Sequence, residues 1–140
     1  MHRRPLGRAR RLAAASALVL LVGCLLPWWA AGGADGLPPV SGNAFEASGI
    51  LVFLAALATL ALVTLPFASE RPMALDRWPA YIVVMGLAVV GFVLRVATLI
   101  VEGPLASLRP DRAPGLYVVA IGLASLARAA FEINQEPEAR

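Results

Sequence analysis

Lysine is absent from this 140-residue chain, and cysteine and histidine occur once each, as Cys24 and His2. A single cysteine excludes an internal disulfide and a cysteine-based metal cluster. A single histidine excludes a haem held between two histidines of the same chain. Charge is also scarce, at 15% of residues against roughly 25% in an ordinary soluble domain. No His-Glu-x-x-His, Gly-x-Ser-x-Gly or Walker loop occurs, and no Asp cluster suits metal-assisted phosphoryl transfer. No carboxylate lies near the middle of an apolar run, where a proton relay would need one. Catalysis would rest on Arg, Glu or Tyr alone, a poor set for hydrolysis or redox work. The expectation is a protein that is not an enzyme and carries no cofactor and no metal.

What is abundant is apolar: 59% of residues, with a mean hydropathy of +0.76. These residues lie in four runs, at about 12–31, 49–68, 80–101 and 114–133. A helix rises about 1.5 Å per residue, so about 20 residues cross the roughly 30 Å hydrocarbon core. None of the runs alternates polar with apolar, as a membrane β-barrel requires. The fold class predicted is all-α, an integral membrane four-helix bundle over residues 12–133. A basic tail, 1–11, precedes it and a short tail, 134–140, follows. The connections are short and rich in Gly, Pro and charge, which leaves no room for a soluble domain.

All 12 basic residues are Arg, which together with abundant Ala, Gly and Pro reads as the coding bias of a GC-rich genome. Arg3, Arg4, Arg8, Arg10 and Arg11 precede the first run. Without aromatic interleaving or a reading module, this cluster reads as a cytoplasmic helix anchor and not as a nucleic-acid site. Alternating the four runs puts these residues on the same side as Arg71, Arg77 and Arg140. Only Arg109 and Arg112 fall opposite. The positive-inside rule therefore places both termini in the cytoplasm. The partners expected are the lipid bilayer and either another membrane protein or further copies of this chain, with no nucleic acid.

"LVGCLLPWWA", Leu21 to Ala30, admits two readings. Leu21-Val22-Gly23-Cys24 resembles a lipobox, so cleavage before Cys24 would leave a lipid-anchored protein. A lipidated cysteine, however, usually opens a polar tether. Here the apolar run continues to spanning length and ends in Trp28 and Trp29, a pair suited to the outer interface. The continuation favours a retained helix. Trp78 at the inner face and Tyr117 at the outer are read as further interface anchors. Arg128 and Glu132, four residues apart, are read as an intrahelical pair anchoring the last helix.

Arg95 is the sharpest candidate for chemistry. It lies about 9 Å below the outer end of the third run, where the side chain either snorkels to the surface or pairs with a carboxylate. Glu46, just before the second run, is the first choice of partner, followed by Glu102 and Asp111. Small residues point to helix–helix faces: Ala120, Ala124, Ser125 and Ala129 on the fourth run, Gly86 and Gly91 on the third, and Ala55, Ala58 and Ala61 on the second.

"LLPWWA", the Gly-rich loop with "SGNAFEASG" and a second span opening at its last Gly resemble small, uncharacterised four-helix membrane proteins of actinobacteria and other GC-rich bacteria. The resemblance is specific over Leu25 to Gly49 and implies architecture without an activity. Three function classes follow, the third an enzyme of lipid or envelope metabolism. The first is a non-enzymatic accessory or scaffold subunit of a complex in the inner membrane. The second is an oligomeric small-solute or anion transporter or channel, with Arg95 near an outer vestibule.

Overall fold

The computed structural model of the chain describes residues 7–33, 36–68 and 78–135. The basic residues Arg3, Arg4, Arg71, Arg77 and Arg140 and the loop acids Asp35, Glu70 and Asp76 lie outside them. Four helices account for most of the fold: α1 (Arg8–Leu25), α2 (Ile50–Ala68), α3 (Trp78–Glu102) and α4 (Pro114–Gln135). α1 packs on α4 and α2, and α3 on α2 and α4. The end of α1, the start of α2, the end of α3 and the start of α4 share one end of the molecule.

That end is not all-α as expected. Trp29–Ala31 (β1) pairs antiparallel with Val40–Gly42 (β2), in the register Trp29 to Gly42, Ala30 to Ser41 and Ala31 to Val40. Short 3₁₀ turns, Ala47–Gly49 and Leu105–Leu108, lead into α2 and out of α3.

The expected first span, 12–31, requires the same correction. α1 begins in the arginines at Arg8 and stops at Leu25. Pro27 accounts for the stop. It has no N–H to donate, and its ring drives the preceding residue out of the helical region. Leu26 accordingly has φ −76° and ψ 156°, with its N–H closing the last turn on Val22 O. The chain then finds other partners: Trp28 N donates to Gly42 O at 2.8 Å and Gly115 N donates to Pro27 O at 2.9 Å. Pro66 acts less sharply, since α2 continues past it to Ala68.

Three helical segments are long and apolar enough to cross a membrane: Ala47–Pro66, Trp78–Glu102 and Pro114–Gln135. α1, with 18 residues and three arginines in its first turn, is not among them. Its apolar stretch shortens from the expected 20 residues because the chain leaves the helix at Leu26, ahead of both tryptophans, and Trp29 opens the hairpin.

Buried hydroxyls in these helices bond back along their own chain, Ser16 Oγ to Leu12 O at 2.8 Å and Thr59 Oγ1 to Ala55 O at 2.9 Å. Such bonds satisfy a polar side chain where no water reaches it. Where apolar surroundings give helices no hydrophobic reason to associate, close backbone approach takes over. α1 and α4 meet on glycines. A Cβ at Gly23 would lie 2.7 Å from Val119 Cγ2. One at Gly115 would lie 2.6 Å from Trp28 Cδ1 and 2.7 Å from Leu26 O. The face expected on α4 is different: Ala120 and Ala124 are exposed, and only Ala129 of that set is buried. On α2, Ala55 and Ala56 are buried while Ala61 faces outward. On α3, a Cβ at Gly91 would lie 2.6 Å from Leu51 Cβ, whereas one at Gly86 would meet nothing within 4 Å.

Gly115→Val is therefore expected to lower stability by about 1–3 kcal/mol, because backbone on α1 has nowhere to retreat. Gly86→Ala should be neutral or gain up to about 1 kcal/mol of helix propensity. Thermal unfolding of the two variants in detergent checks the contrast; equal effects would mean that the α1–α4 contact is not glycine-dependent.

Candidate functional site

The hairpin, the turn before α2 and the end of α3 converge on one carboxylate. Glu46 is positioned from both sides. Ahead of it, Ala44 N donates to Cys24 O at 3.3 Å, tying the turn to the end of α1, and Asn43 Oδ1 accepts from Phe45 N at 3.1 Å. This local Asx bond is the reason Asn favours such turns. Behind it, Ala47 holds φ +49°, a left-handed conformation uncommon outside glycine, before the 3₁₀ turn begins. Arg95 comes from the buried stripe of α3, which also holds Tyr81, Ala88, Gly91 and Leu99.

Arg95 Nη2 and Glu46 Oε2 are 2.6 Å apart. The same oxygen accepts a hydrogen bond from Trp29 Nε1 at 2.8 Å. Gly42, opposite Trp29 in the hairpin, lies directly against this cluster: a Cβ there would strike both Glu46 carboxylate oxygens and the indole nitrogen. The pair is asymmetric in its solvation. The Arg95 side chain is 7% exposed and that of Glu46 44%. Arg95 Nε is buried and has no acceptor among the described residues.

Beside the pair opens a cleft of about 370 Å³, lined by Trp29, Ala31, Glu46, Arg95, Leu99, Glu102, Gly103, Pro104 and Ser107. Ser107, the one hydroxyl in this lining, donates to Pro104 O at 2.7 Å. It is thus engaged with backbone. The cleft formally holds one cation and two carboxylates.

Of the three partners considered for Arg95, the structure brings Glu46 to it. Glu102 lines the same cleft without bonding the guanidinium. Asp111 lines a separate concavity with Arg112, Pro27 and Val40. The two tryptophans part company. Trp28, expected at the interface, is fully buried: it donates to Gly23 O at 2.9 Å and meets Phe92 edge-on at 5.8 Å. The reversal at Pro27 turns its side chain inward between α1, α3 and α4. Trp29, expected beside it as an anchor, is the indole that holds Glu46.

Trp78 is 39% exposed at the start of α3. Tyr117 is exposed near the hairpin end, and its hydroxyl donates to Leu108 O at 3.0 Å. Arg128 Nε lies 3.1 Å from Glu132 Oε1 on α4, toward the opposite end. Cys24 is buried in the last turn of α1, and the helix before it places Ala9, Ala13, Ala17 and Leu20 in the core. Reading the sequence missed Gly42, Ser107 and the bond from Trp29 to Glu46. The Gly-Asn turn in "SGNAFE" was the available signal, but only the hairpin register sets Gly42 opposite Trp29.

Glu46→Ala is expected to destabilise by about 1–3 kcal/mol, less than a fully buried pair because the carboxylate is half in solvent. Arg95→Met should cost less, since it removes the buried charge and leaves a carboxylate that water can reach. Adding Arg95→Met to Glu46→Ala should recover part of the loss. A double-mutant cycle measured by unfolding in mixed micelles tests the order; Arg95→Met being the worse variant would contradict it. No family model, curated protein or solved structure matches this chain, so the site is read from its own geometry.

Proposed function

We propose that the chain is a multi-pass protein of the bacterial inner membrane: a four-helix bundle with both termini in the cytoplasm and the hairpin end outside. It acts as a non-enzymatic accessory subunit docked on another integral membrane protein. The arginines before Leu12 support the orientation, and the place of α1 in the core supports a first helix that is kept and not cleaved at Cys24. Helices α2, α3 and α4 expose large apolar residues along their length, such as Leu54, Val90 and Ile121, and lipid suffices to cover those.

The observation that carries the docking role lies in the loops. Leu37 is 66% exposed and Leu105 69%, with Val40 and Phe45 also exposed, all at the hairpin end and outside the spans. Exposed apolar side chains mark a contact site where they join in one patch. An oligomeric anion path past Arg95 has less support, because Glu46 already neutralises the guanidinium and Glu102 adds a second negative group beside it.

Two measurements test this reading. In a Cys24→Ser background, Ser41→Cys should react with a membrane-impermeant maleimide in intact spheroplasts; labelling only after lysis would reverse the orientation. Affinity purification from native membranes in mild detergent should yield a stable complex with a second integral protein. Leu37→Ser combined with Leu105→Ser should cut its recovery about fivefold or more with helix content unchanged. Recovery of homo-oligomers alone would favour the transporter instead.

A further inference from the structure

We propose that the cleft beside Glu46 and Arg95 binds a zwitterionic headgroup, one bearing an anionic oxygen and a primary ammonium, as an ethanolamine phospholipid does. The inference goes beyond the docking role and needs only that the hairpin end sits at a membrane surface.

The donor side of the argument is Arg95. A guanidinium offers five N–H donors in a rigid fork. This one is 6% exposed, lines the cleft and is bonded through Nη2 to Glu46, while its buried Nε meets no acceptor among the described residues. Buried donors are rarely left unpaired in folded proteins, and this guanidinium keeps hydrogen-bonding capacity beyond its bond to Glu46. A phosphate-type oxygen suits such a fork better than any other common group.

The acceptor side excludes a plain anion. Among the described residues Glu102 lines the cleft with no ion pair, and the Glu46 carboxylate is half exposed with only Oε2 engaged. Two carboxylates against one guanidinium repel a ligand that is negative throughout. They attract one whose ammonium lies a few bonds from its anionic oxygen. A bare cation, in turn, would use none of the remaining donors of the Arg95 fork.

The walls point to a lipid as the source. Leu99, Ala31 and Pro104 supply apolar surface beside the polar groups, and Arg95 lies about two helical turns below the end of α3. A headgroup seated there meets apolar lining beside its polar partners. The volume, about 370 Å³, is at the small end of the roughly 300–1,000 Å³ typical of small-molecule sites.

The test uses the full-length protein in detergent, titrated with dioleoyl phosphatidylethanolamine, phosphatidylcholine or phosphatidylglycerol and read by native mass spectrometry. Phosphatidylethanolamine is expected to bind about fivefold tighter than the other two, the size of one partly exposed charge pair. Glu102→Gln, at an exposed position outside the Arg95–Glu46 bond, should abolish the preference with thermal stability unchanged. Glu102→Arg should turn it toward phosphatidylglycerol. Equal binding of all three lipids, or a preference that survives both Glu102 variants, would overturn the proposal. Free phosphoethanolamine distinguishes the sources: competition supports a site for the soluble zwitterion as well, and a lack of competition with the lipid preference intact supports one that needs the acyl chains. None of these outcomes depends on whether a partner protein co-purifies, so failure of the docking role is read separately.

Discussion

Pro27 can neither donate to Gly23 nor let Leu26 stay helical, and much of the hairpin end depends on that one break. A helix continuing through the apolar run would have carried both tryptophans along α1. The break instead sends Trp28 into the core, where its N–H closes on Gly23 O and its ring packs on Phe92. The next residue opens a strand, and that strand finds its partner at Val40–Gly42. Through this pairing the indole of Trp29 stands over Gly42 and meets Glu46. The carbonyl of Pro27 itself receives Gly115 N, so the same break sets the start of α4 against the end of α1.

The cluster around Glu46 shows how an apolar fold tolerates an arginine. Burying an isolated guanidinium is expensive, and its attraction to a carboxylate offsets that cost only with good geometry. Here the counter-charge is not delivered by a neighbouring turn of the same helix. It comes from a loop 49 positions away in sequence, braced by an indole N–H and by the turn's own hydrogen bonds. The loop therefore has to be ordered, and the hairpin provides the order. A half-exposed carboxylate and a nearly enclosed cation also leave the two sides of the cleft chemically unlike. The result is a place of mixed charge with an apolar wall, next to loops that expose Leu37 and Leu105.

Several elements were legible in the order of residues. α2, α3 and α4 fall within about two residues of the apolar runs at 49–68, 80–101 and 114–133, because run length and the Pro and Gly that bound each run are local properties. The short list of carboxylates near Arg95 was legible for a different reason: acids are so scarce that Glu46, Glu102 and Asp111 nearly exhaust the candidates. The helix faces were not legible. In a chain so rich in alanine, small-residue spacing recurs on every side of a helix. The stripe at Ala120 and Ala124 was as plausible as the one the fold uses, through Gly115 and Gly122.

By itself, then, the sequence determined the helical character, the number of long apolar segments within one, and the pool from which a counter-ion for Arg95 had to come. These follow from composition and from interactions within a few residues. Only the tertiary structure decided that α1 ends before the tryptophans, that Trp28 is core and Trp29 site, and that Glu46 pairs while Glu102 waits at the cleft. Each of those choices rests on a strand register and on backbone approach between segments distant in the chain. A register shifted by one residue would face every side chain of the hairpin the other way, and no local preference encodes which register wins.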